Sequence, residues 1–206
     1  MIGIVDYGMG NLMSVFNAFQ YIGASVVICK QPEQLKNVER IVIPGVGAIE
    51  QCILKLTETG FVEALNENVL KYGKPTLGIC LGMQVMATYS HEGGNHKCLD
   101  WFDGEVVRLQ PSEPLEFKVP NIGWNTIEYN KEVPLFNGLP LAPDLYFVHS
   151  FQMKTKNPFE IIATYEHGEK VTAAILKNNI FATQFHPEKS QDLGLKILEN
   201  FIKWKP

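Results

Sequence analysis

The sequence predicts an α/β fold in which a central, mostly parallel sheet is flanked by helices and followed by a strand-rich, antiparallel extension. Two observations support this fold class. Over the first ninety residues, apolar runs of strand length alternate with amphipathic segments of helix length, which is the pattern of a parallel sheet covered on both faces. After about residue 104, short strands follow one another with turn residues between them, which indicates antiparallel or mixed pairing.

Four apolar runs in the first half predict buried strands. These are Ile2–Val5, Val26–Cys29, Arg40–Ile43 and Pro75–Ile79. Helices are expected where apolar residues recur at helical spacing. They run from Leu12 until Gly23 stops the helix, from Ile49 through Leu56, and over Phe61–Tyr72. One helix lies between the first and second strands, and two lie between the third and fourth, as the crossovers of a parallel sheet allow.

The second half is predicted to consist mainly of strands. These are Glu105–Leu109, Asn125–Tyr129, Tyr146–Phe151, Glu160–Tyr165, Val171–Leu176 and Ile180–Phe185. The chain closes with an amphipathic helix over Ser190–Trp204, whose apolar positions include Ile197 and Phe201. No linker or internal repeat interrupts the pattern, so residues 1–206 are expected to form a single domain.

Composition narrows the classes of function. The 206 residues are 46% hydrophobic and 11% aromatic, which is the usage of a globular core and excludes a disordered chain. A formal net charge of −4 argues against a nucleic-acid-binding protein, which usually carries a basic patch. No apolar run approaches the roughly 18 residues of a membrane helix, and the N-terminus lacks a signal-peptide pattern. We therefore expect a cytoplasmic protein with no membrane segment.

The cysteines do not indicate a metal site or a disulfide framework. They are Cys29, Cys52, Cys80 and Cys98. They form neither a CxxC pair nor a zinc-ligand spacing, and in a reducing compartment they are expected to be free thiols. His91 and His96 lie in a Gly- and Asn-rich loop near Cys98, a composition more typical of a solvated surface than of a metal site. We predict no metal and no cofactor, because no complete dinucleotide-binding fingerprint is present either.

Cys80 has the sequence setting of a nucleophile. It lies in the heptapeptide GICLGMQ at 78–84, after a predicted strand and before a predicted helix. A nucleophile with a glycine two residues away on either side has the form of a nucleophile elbow, in which the glycines leave room for a strained turn. Unpaired amides at a helix N-terminus would favour the thiolate there. The alternative is a buried structural cysteine. The other three cysteines are interpreted as structural, with Cys29 and Cys52 on apolar faces and Cys98 in a polar loop.

A histidine and a carboxylate follow a later strand. The segment QFHPEKS at 184–190 presents His186 and Glu188 at the sheet edge where Cys80 is expected. A histidine near the thiol can act as general base on the thiol and as general acid on a leaving amine. A carboxylate two residues on can orient the ring. Taken alone, His186 could equally be a surface histidine.

The turn after the third strand reads PGVG at 44–47. The glycines on both sides of Val46 allow its backbone amide to point at a developing oxyanion. The second donor would be the amide of Leu81, the residue after the nucleophile. By itself, PGVG could be an ordinary turn that ends a strand.

Taken together, the three motifs resemble those of the class I, triad-type glutamine amidotransferases. Three further segments resemble one branch of that family, the glutaminase subunits of imidazole glycerol phosphate synthase. They are DYGMGN at 6–11, PNIGWN at 120–125 and YFVHSF at 146–151. The resemblance extends through the whole chain and implies the class I glutamine amidotransferase fold.

The resemblance also implies a reaction and a partner. The chain would hydrolyse L-glutamine to glutamate and ammonia through a thioester on Cys80. The ammonia would pass to a (β/α)₈-barrel cyclase subunit, with which the chain would form a heterodimer. The cyclase of this family makes imidazole glycerol phosphate and an aminoimidazole carboxamide ribonucleotide in histidine biosynthesis.

Functional residues of the family fall on identifiable positions of this chain. The triad would be Cys80, His186 and Glu188, with oxyanion amides at Val46 and Leu81. The glutamine-binding residues would be Gly47, Gln84, Glu92, Ser150 and Phe151. The residues facing the cyclase would be Asn11, Trp124, Tyr146 and Lys189. From the residues alone, Glu92 could instead be a solvated loop charge, and Trp124 and Tyr146 could be core or edge aromatics.

Two positions depart from the family pattern. Asn121 stands where the histidine-pathway subunits usually have His, and Phe151 stands where Tyr is common. Neither belongs to the triad, so glutaminase chemistry is expected to persist. Asn121 leaves a second acceptor open, namely a synthetase that aminates bacterial surface sugars and receives ammonia from a paralogous glutaminase subunit.

Two other classes of protein share part of this sequence pattern. A flavodoxin-like binding module would require all three motifs to be coincidences. A cysteine peptidase or a DJ-1-like stress protein shares the elbow but usually lacks the HPE segment after the penultimate strand. Peptidase activity without glutaminase activity would favour this last class.

Overall fold

An eight-stranded mixed sheet forms the centre of the molecule. The computed structural model describes all residues from 1 to 206. The helices are α1 (Leu12–Tyr21), α2 (Ile49–Glu58), α3 (Phe61–Leu65), α4 (Leu81–Gln84) and α5 (Gln191–Lys203). The strands are β1 (Ile2–Val5), β2 (Val26–Cys29), β3 (Arg40–Gly45), β4 (Thr76–Cys80), β5 (Tyr89–Ser90), β6 (His96–Lys97), β7 (Gly104–Arg108), β8 (Asn121–Thr126), β9 (Glu128–Tyr129), β10 (Asp144–His149), β11 (Phe151–Thr155), β12 (Ile161–Glu166), β13 (Lys170–Lys177) and β14 (Ile180–Thr183).

The central sheet joins a parallel half to an antiparallel half. Its order is β2-β1-β3-β4-β14-β13-β12-β9. The first five strands in this order run parallel, and β13, β12 and β9 then add antiparallel pairs. This arrangement confirms the predicted α/β class with an antiparallel extension. The four strands predicted in the first half all lie in the parallel half.

Two smaller sheets were not predicted as separate units. Strands β8 and β10 form an antiparallel pair, and β11, β7, β5 and β6 form a four-stranded sheet. The predicted strand Tyr146–Phe151 is therefore wrong as one element, because the chain leaves β10 at His149 and enters a different sheet at Phe151. The predicted strand Asn125–Tyr129 is likewise divided between β8 and β9. In both cases the apolar pattern continues across the point where the chain changes sheets, so the sequence gives no signal that one strand ends and another begins.

Helices cover both faces of the central sheet. Alternate residues of the parallel strands enter two hydrophobic clusters of similar size, 28 and 26 buried residues, as the two-residue period of a strand requires. Val42 packs with α1 and α5, whereas Ile41 and Ile43 pack with α2 and α3. A parallel sheet covered in this way keeps its polar edge at the carboxyl ends of the strands, where ligands usually bind.

Local features differ from the sequence predictions at two further points. The helix predicted over Phe61–Tyr72 is α-helical only to Leu65 and continues as a π-helix over Asn66–Lys71. Cys98, predicted to lie in a polar loop, is buried in the second hydrophobic cluster. No helix has both the length and the apolar character needed to cross a lipid bilayer.

Candidate active site

Strand register brings the three sequence motifs together. Cys80 is the last residue of β4 and pairs with Gly45 of β3, so the PGVG turn begins beside the thiol. On the other side of β4, Thr183 of β14 pairs with Ile79. His186 follows three residues later. Because all three strands are parallel neighbours, their carboxyl ends meet at one edge of the sheet.

The backbone at Cys80 is strained, as the elbow motif predicts. Its φ is +54° and its ψ is −106°, a region that side chains other than glycine rarely occupy. The turn requires glycine at position 82, because a Cβ there would lie 1.9 Å from the carbonyl oxygen of Ile43. A Cβ on Gly78 would lie 2.7 Å from the carbonyl oxygen of Gly82. Helix α4 has only four residues, so the nearby amides act on Cys80 locally rather than through a long helix dipole.

His186 and Glu188 form a buried pair. The Nδ1 atom of His186 lies 2.8 Å from Oε1 of Glu188, and both side chains are 1% exposed. Burial lowers the pKa of His186, but the nearby Cys80 sulfur and the hydrogen-bonded carboxylate of Glu188 outweigh burial and raise this pKa to about 9. The Nε2 atom has no hydrogen-bond partner. The ring is thus held through Nδ1, and its second nitrogen is available for proton transfer.

A cavity of about 380 Å³ opens at Cys80. Nine of the predicted site residues line it, namely Val46, Gly47, Cys80, Leu81, Gln84, Glu92, Ser150, Phe151 and Lys189. The remaining lining residues, which were not predicted, are Pro120, Val148 and His149. A larger cavity of about 640 Å³ lies against β11, β12 and β13 and contains none of the predicted residues. The smaller cavity is the candidate active site because, of these two cavities, only it is lined by Cys80, the residue with the strained backbone.

Glu92 is not a solvated loop charge. Its Oε2 accepts a hydrogen bond of 2.9 Å from the backbone amide of Ile49, the first residue of α2. A carboxylate at this position satisfies a free amide and complements the positive end of the helix. The carboxylate therefore ties its own loop to the turn that contains Gly47, across the mouth of the cavity.

Gln184 was missed by sequence reasoning. This residue is fully buried, and its Nε2 donates to the Cys80 sulfur at 3.6 Å. Its Oε1 accepts a hydrogen bond of 3.0 Å from Gln84, which also donates to the carbonyl of Phe151 at 2.9 Å. An amide within the otherwise apolar segment that leads into His186 was the available signal, because buried polar groups need partners.

Of the residues predicted to face a partner, Trp124, Tyr146 and Lys189 lie together, whereas Asn11 lies at the start of α1. The Trp124 and Tyr146 rings lie edge to face with their centroids 5.8 Å apart. The Lys189 ammonium lies 5.9 Å from the centroid of Tyr146. Trp124 is 47% exposed, so these residues form an open aromatic and cationic surface beside the cavity mouth. Asn11 precedes α1 and makes no capping hydrogen bond with its side chain.

The other three cysteines are poor nucleophiles. Burial raises the pKa of Cys29, and it raises the pKa values of Cys52 and Cys98 to about 12. They stay protonated at neutral pH, and none is paired in a disulfide. No group of three or more His, Cys, Asp or Glu side chains is arranged to hold a metal ion.

Tyr7 anchors the PGVG turn from below. Its buried hydroxyl donates to the carbonyl of Pro44 at 2.8 Å and accepts from the Cys52 thiol at 3.5 Å. Tyr7→Phe is expected to lower the free energy of unfolding by about 1–3 kcal/mol, because it leaves a buried carbonyl short of a partner. Urea denaturation measures this loss. Tyr72→Phe is the control, since Tyr72 is exposed and its hydroxyl bonds only to the side chain of Glu67. Equal stability of the two variants would contradict the role of Tyr7.

Comparison with known proteins identifies the family. The family "Glutamine amidotransferase class-I" matches residues 3–204. The chain is 49% identical to imidazole glycerol phosphate synthase subunit HisH 1 of Campylobacter jejuni (strain RM1221), over 98% of this chain and 100% of that protein. It is 43% identical to subunit HisH of Syntrophotalea carbinolica, over 98% of each chain.

Solved structures agree on the fold. A glutamine amidotransferase crystal structure superimposes with a TM-score of 0.74 at 17% identity, covering 97% of this chain and 98% of that chain. PurLQS from Thermotoga maritima also gives a TM-score of 0.74, at 16% identity, covering 98% and 97%. At these identities the similarity shows the fold alone.

Proposed function

We propose, because this chain belongs to the class I glutamine amidotransferase family, that Cys80, His186 and Glu188 are its catalytic triad. The chain is an enzyme with glutaminase activity, and it acts as the glutaminase subunit of an imidazole glycerol phosphate synthase in histidine biosynthesis. The relatives do not favour the alternative acceptor, a sugar-aminating synthetase. The observation that carries the triad is the strained Cys80 beside a buried His186–Glu188 pair.

The triad supports a two-step hydrolysis. His186 takes the thiol proton of Cys80 on its Nε2, the sulfur attacks the side-chain carbonyl carbon of glutamine, and the carbonyl oxygen becomes an oxyanion. His186 gives its Nε2 proton to the leaving nitrogen, the C–N bond breaks, and ammonia leaves behind a glutamyl thioester. Water then attacks the thioester while His186 takes a proton from it. Glutamate is released, and the thiol and the imidazole return to their starting states.

The cavity provides groups for each part of the substrate. The amides of Val46 and Leu81 would stabilise the oxyanion. The carboxylate of Glu92 would bind the substrate's ammonium group. Gln84 uses both amide hydrogens in hydrogen bonds to protein groups, so it offers its Oε1 to a donor on the substrate. The Ser150–Phe151 backbone and Gly47 complete the wall.

The partner would cover the Trp124–Tyr146–Lys189 surface. Relatives named as HisH are subunits of a synthase, so this chain works as part of a complex. The finer proposal is a heterodimer with a (β/α)₈-barrel cyclase, docked so that ammonia formed at Cys80 enters the partner without meeting bulk solvent. An exposed tryptophan beside a half-buried tyrosine and a cation is typical of such interfaces.

Glutamate release from glutamine tests this function. It is measured for the purified chain alone, with a histidine-pathway cyclase from the same source, and with cyclase plus its ribonucleotide ligand. We expect a large rise in the last mixture. The same mixture containing Cys80→Ala reports any contaminating glutaminase. Hydrolysis that the cyclase never stimulates would refute the proposed partner, and no hydrolysis in the full mixture would refute the proposed site.

Lys189→Ala is expected to weaken coupling to the cyclase more than it affects the fold. An ammonium at the mouth of the cavity can form a cross-interface ion pair, and loss of one charge pair typically costs up to a few kcal/mol. The measurement is the fraction of hydrolysed glutamine whose ammonia is incorporated by the cyclase. Lys203→Ala on α5 is the control. Unchanged incorporation would argue against the interface role of Lys189.

A further inference from the structure

A buried hydrogen-bond chain connects strand β8 to the cavity wall. The Asn121 Nδ2 lies 2.8 Å from the Tyr165 hydroxyl, which lies 2.7 Å from Nε2 of His149. The Nδ1 of His149 lies 2.7 Å from the carbonyl oxygen of Phe151. All three residues are buried: Asn121 is 5% exposed, Tyr165 is 2% exposed and His149 is 6% exposed.

The donor and the acceptor of each of these three hydrogen bonds can be assigned. A carbonyl oxygen only accepts, so His149 must donate from Nδ1 to Phe151. Burial lowers the pKa of His149 to about 4, so the ring is neutral and its Nε2 must accept. The Tyr165 hydroxyl therefore donates to His149 and accepts from the amide of Asn121. No other proton arrangement of a neutral His149 satisfies all three contacts.

Further hydrogen bonds connect the Phe151 carbonyl to the nucleophile. The Phe151 oxygen also accepts from Gln84, whose amide donates to Gln184, and Gln184 donates to the Cys80 sulfur. All of these amide groups are buried. Buried networks that are fully satisfied hold their members in one arrangement. The orientation of Gln84, and with it the acceptor offered to the substrate, depends on the carbonyl that His149 holds.

The network also joins the three sheets. Asn121 and His149 are cross-strand partners at one end of the β8–β10 pair. Tyr165 belongs to β12 of the central sheet, and Phe151 begins β11 of the four-stranded sheet. Strand β8 also carries Trp124 on the surface proposed to contact the cyclase. A displacement of β8 on docking therefore acts on Asn121 directly.

We propose that Tyr165 and His149 are positioning residues of the glutaminase site. They hold the Phe151 carbonyl, and through it Gln84 and the Cys80 thiol, in register with strand β8. The network is thereby a route by which the partner surface influences hydrolysis. This inference rests on the proposed function, since it assigns a role within the same site.

Tyr165→Phe tests the proposal with little change in shape. The ring that packs on Phe147, with centroids 4.3 Å apart, is kept and only the hydroxyl is lost. The matched control is Tyr129→Phe, which removes a hydroxyl bonded to two loop carbonyls away from the cavity. We expect the ratio of cyclase-stimulated to unstimulated kcat/KM to fall about fivefold or more in Tyr165→Phe and to stay within about twofold of wild type in the control.

Two readouts do not depend on activity. In ¹⁵N spectra the wild-type His149 should be neutral with its proton on Nδ1, and the Nε2 resonance should move in Tyr165→Phe but not in Tyr129→Phe. The rate of Cys80 alkylation by iodoacetamide should change about threefold or more in the first variant only, an effect of about 0.6 kcal/mol on the barrier. Unchanged stimulation and an unchanged alkylation rate in Tyr165→Phe would overturn the proposal.

A second pair of variants guards against misfolding. Asn121→Leu removes the donor at the far end of the network and should reproduce the loss of stimulation. Asn121→His places a ring N–H donor there and should restore it. If wild type itself is not stimulated, the proposed partner is wrong, and the spectral and alkylation readouts still decide the role of Tyr165. Equal behaviour of the two Asn121 variants would count against the network.

Discussion

Replacing Cys80 with alanine is expected to abolish glutamine hydrolysis, with kcat falling by about 10³-fold or more. Cys80 is the only cysteine that lines the cavity. The remaining thiols are buried, and their raised pKa values keep them protonated. Glutamate release in the presence of the cyclase and its ligand measures the effect.

The fold should survive this change. The Cys80 sulfur makes only two long polar contacts, at 3.8 Å to the carbonyl of Val148 and at 3.6 Å to Gln184. Binding of the cyclase should therefore be retained, as a pull-down or titration would show. Cys98→Ala is the matched control and should keep its activity. Turnover by Cys80→Ala above about one per cent of wild type, far more than loss of a nucleophile leaves, would remove Cys80 from the mechanism.

Glu188→Gln is expected to lower kcat by about 10²–10⁴-fold with the fold intact. The side-chain amide oxygen that replaces the carboxylate at position 188 can still accept a hydrogen bond from Nδ1 of His186, so the ring keeps its orientation. The charge is lost, however, and with it one of the interactions that raise the pKa of His186 to about 9. Nuclear magnetic resonance titration of the His186 ring should show the pKa falling. An unchanged pKa would contradict the role assigned to the carboxylate.

The same variant should change how stability depends on pH. In wild type the folded-state pKa of His186 lies above its ordinary value of 6.5. The folded state therefore holds the proton more tightly. This stabilisation is fully present below about pH 6.5 and is lost as the pH rises through about 9. Urea unfolding at about pH 6 and about pH 9.5 should show a smaller difference in Glu188→Gln than in wild type or in the surface control Glu199→Gln.

The elbow and its neighbours could be predicted from sequence because their signals are local. The spacing of Gly78, Cys80 and Gly82 specifies a strained turn, and the strand that precedes His186 specifies where that side chain emerges. Parallel pairing of β3, β4 and β14 then brings them to one edge with no further information. The α/β alternation was equally readable, since the four strands of the first half are short apolar runs and amphipathic helical segments lie between most of them.

The three-sheet arrangement of the second half could not be read in the same way. The apolar alternation of residues 146–151 is continuous, although the chain changes sheets at Ser150. The hydrogen bonds of Asn121, Tyr165 and Gln184 depend on contacts between residues up to 104 positions apart, which no local pattern encodes. Asn121 was noticed only as a departure from a family motif, and its partner Tyr165 had no sequence signal.

The connection between β10 and β11, which consists of Ser150 alone, should not tolerate an insertion or a deletion. One residue separates β10 from β11, and it lines the cavity. An inserted or deleted residue there would reverse the alternation of β11, turning Met153 out of the core and the exposed Lys154 toward it. Surface turns between other strands can absorb such changes. Across natural variants, the spacing between His149 and Phe151 should therefore be invariant even where the residue between them differs.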